Sequence, residues 1–94
     1  MKRSFYLIVY DIVADHRRAK VARSLESLGE RVQYSVFEAY LTKEEREQLA
    51  EQLSNVIETE EDGIRFYKLC SACKRGITIV GQGEVTSPPG LVIV

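Results

Sequence analysis

The chain has 94 residues, of which 45% are hydrophobic and 29% charged, and its formal net charge is −1. This length makes one domain with a single modest core, and the composition is typical of a globular protein. No apolar run approaches the roughly 20 residues that cross a bilayer, and the N-terminal apolar run is too short for a signal peptide. We therefore expect a cytoplasmic protein without a membrane partner.

The charge is distributed unevenly along the chain. Residues 1–40 carry seven Lys or Arg against five Asp or Glu, and residues 64–94 carry four against one. Residues 41–63 carry two against eight, so the acid is concentrated in one segment. A basic face matters more for nucleic-acid binding than the total charge does, and such a partner remains open.

The first predicted strand covers residues 5–10 and ends at the carboxylate of Asp11. Alternate residues of a strand share a face, which gives two sets: Phe5, Leu7, Val9 and Asp11 on one side, and Tyr6, Ile8 and Tyr10 on the other. Both faces are apolar until the last residue, so this strand is expected to be covered on both sides. Asp11 lies where the strand emerges from that cover.

A helix is predicted to follow, because apolar residues recur at helical spacing at Val21, Ala22, Leu25 and Leu28. We expect Asp15 to cap its start and Gly29 to end it. Arg17, Lys20 and Arg23 share a face away from the core, while Arg18 borders the buried stripe. A solvated basic face explains this pattern as well as a binding surface does.

The remaining helices and strands are predicted from changes in the spacing of apolar residues. A phase slip within residues 31–41 predicts two short strands, at 31–35 and 36–41. Thr42 and Glu45 form a capping box for a helix that extends to about Ile57. Further strands are predicted at 64–69, 77–81 and 91–94, with a turn at 70–76 between the first two.

The resulting order, β-α-β-β-α-β with an extra C-terminal strand, predicts an α+β fold of ferredoxin-like architecture. We expect residues 1–81 to form this domain and residues 82–94 to form a tail. Two helices cover one face of such a sheet, so the other face needs a partner. A homodimer with sheets packed face to face would cover it, and the tail would dock on the partner subunit.

Cys70 and Cys73 form a CxxC motif, which is typical of zinc or redox sites. Zinc takes about four ligands, and the chain offers no second cysteine pair and a single histidine, His16. A four-cysteine site shared between two protomers stays open. We interpret the pair as two reduced thiols that are dispensable for the fold.

Asp11 is the candidate for chemistry. Mg²⁺ in proteins takes one or two carboxylates together with water and phosphate oxygens. A twofold dimer that brings both copies of Asp11 together would supply two, with Arg18, Lys20 and Arg31 to neutralise phosphate. In the alternative, Asp11 only hydrogen-bonds the backbone of the following turn.

Two motifs carry a resemblance to a known family. They are Tyr10-Asp11-Ile12 with the basic Arg-Arg-Ala-Lys-Val at residues 17–21, and Arg-Val-Gln-Tyr-Ser-Val-Phe-Glu at residues 31–38. Together they resemble the small CRISPR-associated endonuclease (endoribonuclease) family, the partner of the CRISPR integrase in spacer acquisition. The similarity extends from about residue 4 to residue 81.

The resemblance implies a ferredoxin-like homodimer with Asp11 of each subunit at the twofold axis, where it binds Mg²⁺ (or Mn²⁺) and supports phosphodiester hydrolysis. The basic positions of the family fall on Arg18 and Arg31, with Arg17 and Lys20 in the same cluster. Phe37 matches its aromatic position and Tyr10 precedes the carboxylate. The implied partners are integrase subunits and DNA or RNA. A catalytically silent scaffold, or a metabolite-binding regulatory domain, are the alternatives.

Overall fold

The computed structural model describes residues 2–88, and within them it contains four strands and three helices. Their order is β1 (Ser4–Asp11), α1 (Asp15–Glu26), β2 (Gly29–Gln33), β3 (Val36–Leu41), α2 (Lys43–Ser54), β4 (Gly63–Leu69) and α3 (Ser71–Arg75). The elements from β1 to β4 follow the predicted β-α-β-β-α-β order. The predicted α+β, ferredoxin-like fold is therefore confirmed.

The sheet is antiparallel, with strand order β2-β3-β1-β4. β1 lies inside it and pairs with β3 on one side and β4 on the other, so that Tyr6 faces both Ala39 and Lys68. An inner strand has no free edge and buries both of its faces more fully than an outer one. This position explains why β1 is apolar on both sides.

One face of the sheet packs against α1 and α2 and forms the main core. That core consists of alternate β1 residues, the inward residues of β3 and the apolar stripes of the two helices: Tyr6, Ile8, Tyr10, Phe37, Ala39, Leu41, Val21, Ala22, Leu25, Leu49 and Leu53. The alternation predicted for β1 is confirmed. α2 ends at Ser54, and the half-buried Val56 and Ile57 still pack against the core.

The phase slip in the sequence is a hairpin. β2 ends at Gln33 and β3 begins at Val36, with a two-residue turn at Tyr34 and Ser35 between them. The register shifts between Arg31 and Gln33. A bulge inserts one extra residue into a strand and shifts the alternation of its side chains by one position, which is the kind of phase change that the sequence displays.

Two predicted helix ends are wrong. Ala14, not Asp15, is the N-cap of α1, because the Asp15 carboxylate accepts a hydrogen bond from Arg18 instead. Gly29 opens β2 rather than ending α1. A Cβ atom at position 29 would overlap with the carbonyl oxygen of Glu38, so glycine is required for the close approach of β2 to β3.

The second face of the sheet, which we call the open face, carries Phe5, Leu7 and Val9 of β1. At one end α3 covers it, with Lys74 Nζ 5.6 Å from the centre of the Phe5 ring and 4.6 Å from that of Tyr40. These two rings pack edge to face with centres 5.1 Å apart. Residues 2–88 cover the rest of the open face only in part.

The segment after α3 returns along β3 on the open face. The Tyr40 hydroxyl donates to the carbonyl of Thr86 at 2.8 Å, and Thr86 donates to Glu38 from its hydroxyl (2.7 Å) and its backbone N–H (3.2 Å). The predicted strand at 77–81 is wrong, because the described residues after α3 form no strand. Gly81 and Gly83 have positive φ and turn the backbone out of an extended course. The predicted strand at 91–94 lies outside the described residues.

Asp62 ties the turn after β1 to the loop before β4. Its side chain is fully buried and accepts hydrogen bonds from Arg17 Nε (2.8 Å) and from the backbone N–H groups of Val13 and Glu58 (2.9 Å each). Arg17 also pairs with Glu61 at 2.9 Å. The Arg17 guanidinium, with the two N–H groups, holds the pKa of Asp62 well below its ordinary value. We call this arrangement the Asp62 clasp.

Within residues 2–88, no helix is both long enough and apolar enough to cross a membrane.

The capping box of α2 generates a first prediction. The Thr42 hydroxyl accepts from the Glu45 N–H at 3.1 Å, and the Glu45 carboxylate accepts from the Thr42 N–H at 2.8 Å. Thr42→Ala leaves one of these N–H groups without its partner, so we expect the free energy of unfolding to fall by about 1 kcal/mol. Urea denaturation measures this, and Thr42→Ser, which keeps the hydroxyl, is the control. Equal losses in both variants would contradict a capping role.

The Asp62 clasp generates a second prediction, on pH. A carboxyl whose pKa is lowered on folding contributes stability that is fully present above its unfolded pKa of about 3.9. That contribution is lost as the pH falls toward the folded pKa. At pH 7 we expect Asp62→Asn to melt about 5 °C or more below the wild type. The gap in melting temperature should narrow below pH 4.

Thermal melts between pH 2 and 7 test this, with Asp15→Asn as the control, because the Asp15 side chain is 96% exposed. A gap between wild type and Asp62→Asn that stays constant down to pH 2 would show that the charge of Asp62 does not stabilise the fold.

Candidate functional site

Asp11 is the last residue of β1 and lies at the rim of the open face, opposite Gly63 of β4. Its side chain is exposed. No hydrogen bond joins its carboxylate to the following turn within the described chain, where the Val13 N–H donates to Asp62 instead. The interpretation of Asp11 as a cap of that turn is therefore wrong, and its carboxylate faces solvent.

The described residues of one copy contain no complete metal site. Among residues 2–88, no three His, Cys, Asp or Glu side chains are grouped so that they could hold a metal ion. One exposed carboxylate suits Mg²⁺ when a second carboxylate and phosphate oxygens complete the shell. Asp11 therefore fits Mg²⁺ as half of a site that a second copy would complete across the open face.

Arg18 braces the turn that follows Asp11. Its Nη2 atom donates to the carbonyls of Ile12 (3.0 Å) and Val13 (3.2 Å), and Nη1 pairs with Asp15 at 2.6 Å. The Asp15 carboxylate raises the pKa of Arg18 above its ordinary value. Arg18 thus stays charged and fixes the backbone next to the candidate carboxylate.

Arg31 joins Tyr10 and Phe37 in one cluster. Its Nη2 atom donates to the Tyr10 hydroxyl at 3.3 Å, and its guanidinium lies 5.3 Å from the centre of the Phe37 ring. The Tyr10 hydroxyl donates to the carbonyl of Tyr34 at 3.3 Å. The two supporting residues, Tyr10 and Phe37, are therefore the residues that orient Arg31.

Arg18 and Arg31 line one surface cavity of about 350 Å³, together with Asp15, Ala19, Ala22 and Tyr34. The Tyr34 ring is 72% exposed at the tip of the β2–β3 hairpin. Guanidinium groups bind phosphate, and an exposed aromatic ring stacks on a base. Tyr34 was not among the predicted site residues, because it matched the alternation of a strand, although an aromatic residue between two strand patterns also suits a turn.

The other two predicted basic residues lie apart from this cavity. Arg17 belongs to the Asp62 clasp, and its side chain is only 14% exposed. Lys20 is exposed on α1. Binding of nucleic acid by either residue stays a prediction. Asp62 was also missed, since within an acidic loop nothing in the sequence distinguishes the one buried carboxylate.

The structure places the carboxylate and the cavity on different sides of the sheet. Asp11 lies on the open-face side of β1, whereas Arg31 lies on the helix side, beside Phe37. Arg18 lines the cavity and also donates to the carbonyls of Ile12 and Val13, in the turn that follows Asp11. Within one copy, the predicted site is therefore two neighbouring parts and not one cleft.

Comparison with known proteins now identifies the family. The family model described as CRISPR associated protein Cas2 matches residues 4–77. A Synechocystis protein named CRISPR-associated endoribonuclease Cas2 3 is 46% identical over 95% of this chain and 97% of its own length. A Chloroflexus aurantiacus protein named CRISPR-associated endoribonuclease Cas2 1 is 48% identical over 84% of this chain and 86% of its own. These names agree with the predicted enzyme class.

Among solved structures, a chain of a partial Cas6-RT-Cas1–Cas2 complex superposes with a TM-score of 0.77 at 32% identity. The match covers 97% of this chain and 99% of that one. The motifs around Asp11 and Arg31 had predicted this family from the sequence. On these matches, the chain belongs to the CRISPR associated protein Cas2 family.

Proposed function

We propose that this protein is a dimeric component of CRISPR spacer acquisition that holds nucleic acid between integrase subunits and cleaves phosphodiester bonds. Hydrolysis would use Mg²⁺ or Mn²⁺ at the paired Asp11 carboxylates. The observation that carries the proposal is the exposed Asp11 at the rim of the open face, with Arg18 bracing the next turn. The names of the relatives support the enzyme class, and the similar chain found in a complex with Cas1 supports the partner.

The homodimer is supported by the composition of the open face. Leu7 and Val9 are only half-buried there, and Tyr67 is 46% exposed. A second copy packed on this face would remove these apolar side chains from water, at about 25 cal/mol for each Å² buried. The same twofold contact would place two copies of Asp11 near one axis.

The chain's own residues have separate parts in the proposed reaction. Asp11 supplies one carboxylate ligand from each subunit, and Arg18 keeps the backbone beside it in place. Arg31, oriented by Tyr10 and Phe37, contacts phosphate, while the exposed Tyr34 ring stacks on a base. Mg²⁺, when bound, supplies Lewis-acid polarisation of the phosphodiester and neutralises its charge.

A silent scaffold is the second candidate. Its support is the position of Asp11 on the opposite side of the sheet from Arg31, so that one copy does not direct both groups at the same phosphate. In that case the Arg18 and Arg31 cavity would bind nucleic acid, and Asp11 would take no part in chemistry.

A third prediction separates the two candidates. Asp11→Asn removes the charged ligand and keeps the size, so we expect metal-dependent cleavage of single-stranded RNA or duplex DNA to fall to background. Cleavage assays with and without EDTA measure this, and Glu44→Gln, a carboxylate of the first turn of α2, is the control. Sedimentation of the same preparations should give a dimer for all three proteins.

Equal metal-dependent cleavage by wild type and Asp11→Asn would exclude Asp11 as the metal ligand. No cleavage by the wild type, with binding intact, would favour the silent scaffold. A stable monomer would remove the shared site.

A fourth prediction concerns binding. Arg31→Ala should weaken binding to unrelated duplexes alike and reduce the slope of log affinity against log salt by about 0.9, because contacts to phosphate carry no base information. Arg18→Lys should bind more weakly than the wild type, since lysine keeps the charge and loses the planar fork. Fluorescence anisotropy at several salt concentrations measures both.

Arg46→Ala, on α2 and away from the cavity, is the matched control for charge. A changed sequence preference, or a loss equal to that of Arg46→Ala, would contradict phosphate contact by the cavity.

A further inference from the structure

The proposed function leaves the cysteine pair unused. Cys70 and Cys73 are the two cysteines of the chain, and both are free and exposed. Cys70 immediately precedes α3, and Cys73 lies within it. Two exposed thiols three residues apart can form a disulfide with each other, which a single thiol cannot do.

The backbone holds the two residues in one closed turn. The Lys74 N–H donates to the carbonyl of Cys70 at 2.9 Å, and the Cys73 N–H donates to Cys70 Sγ at 3.4 Å. This is a helical turn, and residues three apart in such a turn have Cα atoms about 5 Å apart. A disulfide needs a Cα separation of about 4.4–6.8 Å, so this turn is compatible with one.

The two thiols differ in acidity. The Cys73 N–H lowers the pKa of Cys70 below its ordinary value, and the neighbouring Cys70 sulfur raises the pKa of Cys73. The thiolate is the nucleophile in thiol–disulfide exchange. The backbone N–H on its sulfur favours Cys70 as the attacking thiol, with Cys73 as the thiol that would resolve a mixed disulfide.

A cationic cavity of about 380 Å³ lies against Cys70. Its lining includes Lys2, Arg3, Lys68 and Lys74 and no acidic side chain. Arg3 pairs with Glu45 nearby and Lys74 Nζ lies over the Phe5 and Tyr40 rings, so the lining of the cavity keeps a positive charge. Such a cavity favours an anionic reagent over a neutral one.

We propose that Cys70 and Cys73 form a reversible dithiol–disulfide pair whose oxidant is a small anionic disulfide bound in the lysine-lined cavity. The exchange uses none of the residues assigned to the nuclease or scaffold function. The proposed modification site lies at the edge of the open face. Lys74, which belongs to the same turn as the two cysteines, packs on Phe5 and Tyr40 of that face.

The exchange balances without any other reactant. The Cys70 thiolate attacks one sulfur of the small disulfide, its S–S bond breaks, and one small thiolate leaves. The Cys73 thiolate then attacks Cys70 Sγ, forming the Cys70–Cys73 bond and releasing the second small thiolate. The protein loses two electrons and two protons, and the small disulfide gains them as two thiols.

The test uses the whole reduced protein in mixtures of reduced and oxidised glutathione, followed by acid quench, thiol alkylation and intact mass measurement. We expect the wild type to become a monomeric-mass species short of two hydrogens, reversed by dithiothreitol. Cys73→Ser should stop with one glutathione attached. Cys70→Ser should react more slowly and form no intramolecular disulfide, because the lost thiol is the one whose sulfur accepts the Cys73 backbone N–H.

Four outcomes would overturn the proposal: thiols that stay open to alkylation in the most oxidising mixture, disulfide-linked pairs of chains, stable glutathione adducts on the wild type, or stoichiometric zinc on both thiols.

A separate variant tests the role of the cavity. Lys68→Glu should slow the reaction with oxidised glutathione and leave that with neutral hydroxyethyl disulfide unchanged. Equal effects on both reagents would exclude the anionic specificity.

Discussion

The buried carboxylate of Asp62 fixes the geometry on which the candidate site depends. It binds the Val13 N–H, the Glu58 N–H and the Arg17 guanidinium, so one side chain joins the turn after β1 to the loop before β4. Burying a charge is unfavourable unless hydrogen bonds and an opposite charge compensate for it, and here both are present. Because the clasp uses the Val13 N–H, that group is not available to Asp11, and the Asp11 carboxylate remains in solvent.

The two faces of the sheet carry different groups of candidate functional residues. Its helix side holds the core and, at the edge, the cluster in which Tyr10 and Phe37 orient Arg31. Its open face carries Asp11 at one end and the Lys74 contact with Phe5 and Tyr40 at the other. The candidate carboxylate and the cysteine turn therefore border the same surface, which is the surface that a second copy would cover in the proposed dimer.

The described residues after α3 cover only part of the open face. Thr86 bonds to Glu38 and Tyr40 and holds this segment on β3 of its own sheet, while Val80 is 93% exposed. The apolar residues 77–80 find no pairing strand within the described chain, so they remain irregular. Docking of the tail, residues 82–94, on a partner subunit stays a prediction, as does the division of the chain at residue 81.

The sequence by itself determined the fold class, the element order from β1 to β4, and the family. Period-two alternation in β1, helical spacing in α1, and the capping box at Thr42 and Glu45 depend on local chemistry, which the sequence displays directly. The motifs around Asp11 and Arg31 were sufficient to identify the Cas2 family.

Only the tertiary structure decided which polar groups meet. Arg17 and Arg18 are neighbours in the sequence, yet Arg17 is committed to Asp62 and Arg18 to the Ile12 and Val13 carbonyls. Asp62 lies 45 residues from Arg17 along the chain, and no local pattern specifies such a contact. Likewise, the hairpin and not the alternation exposes Tyr34, and the turn at the start of α3 places the Cys73 N–H on the sulfur of Cys70. The identities of these residues were plain in the sequence, but their partners were set by packing between distant elements.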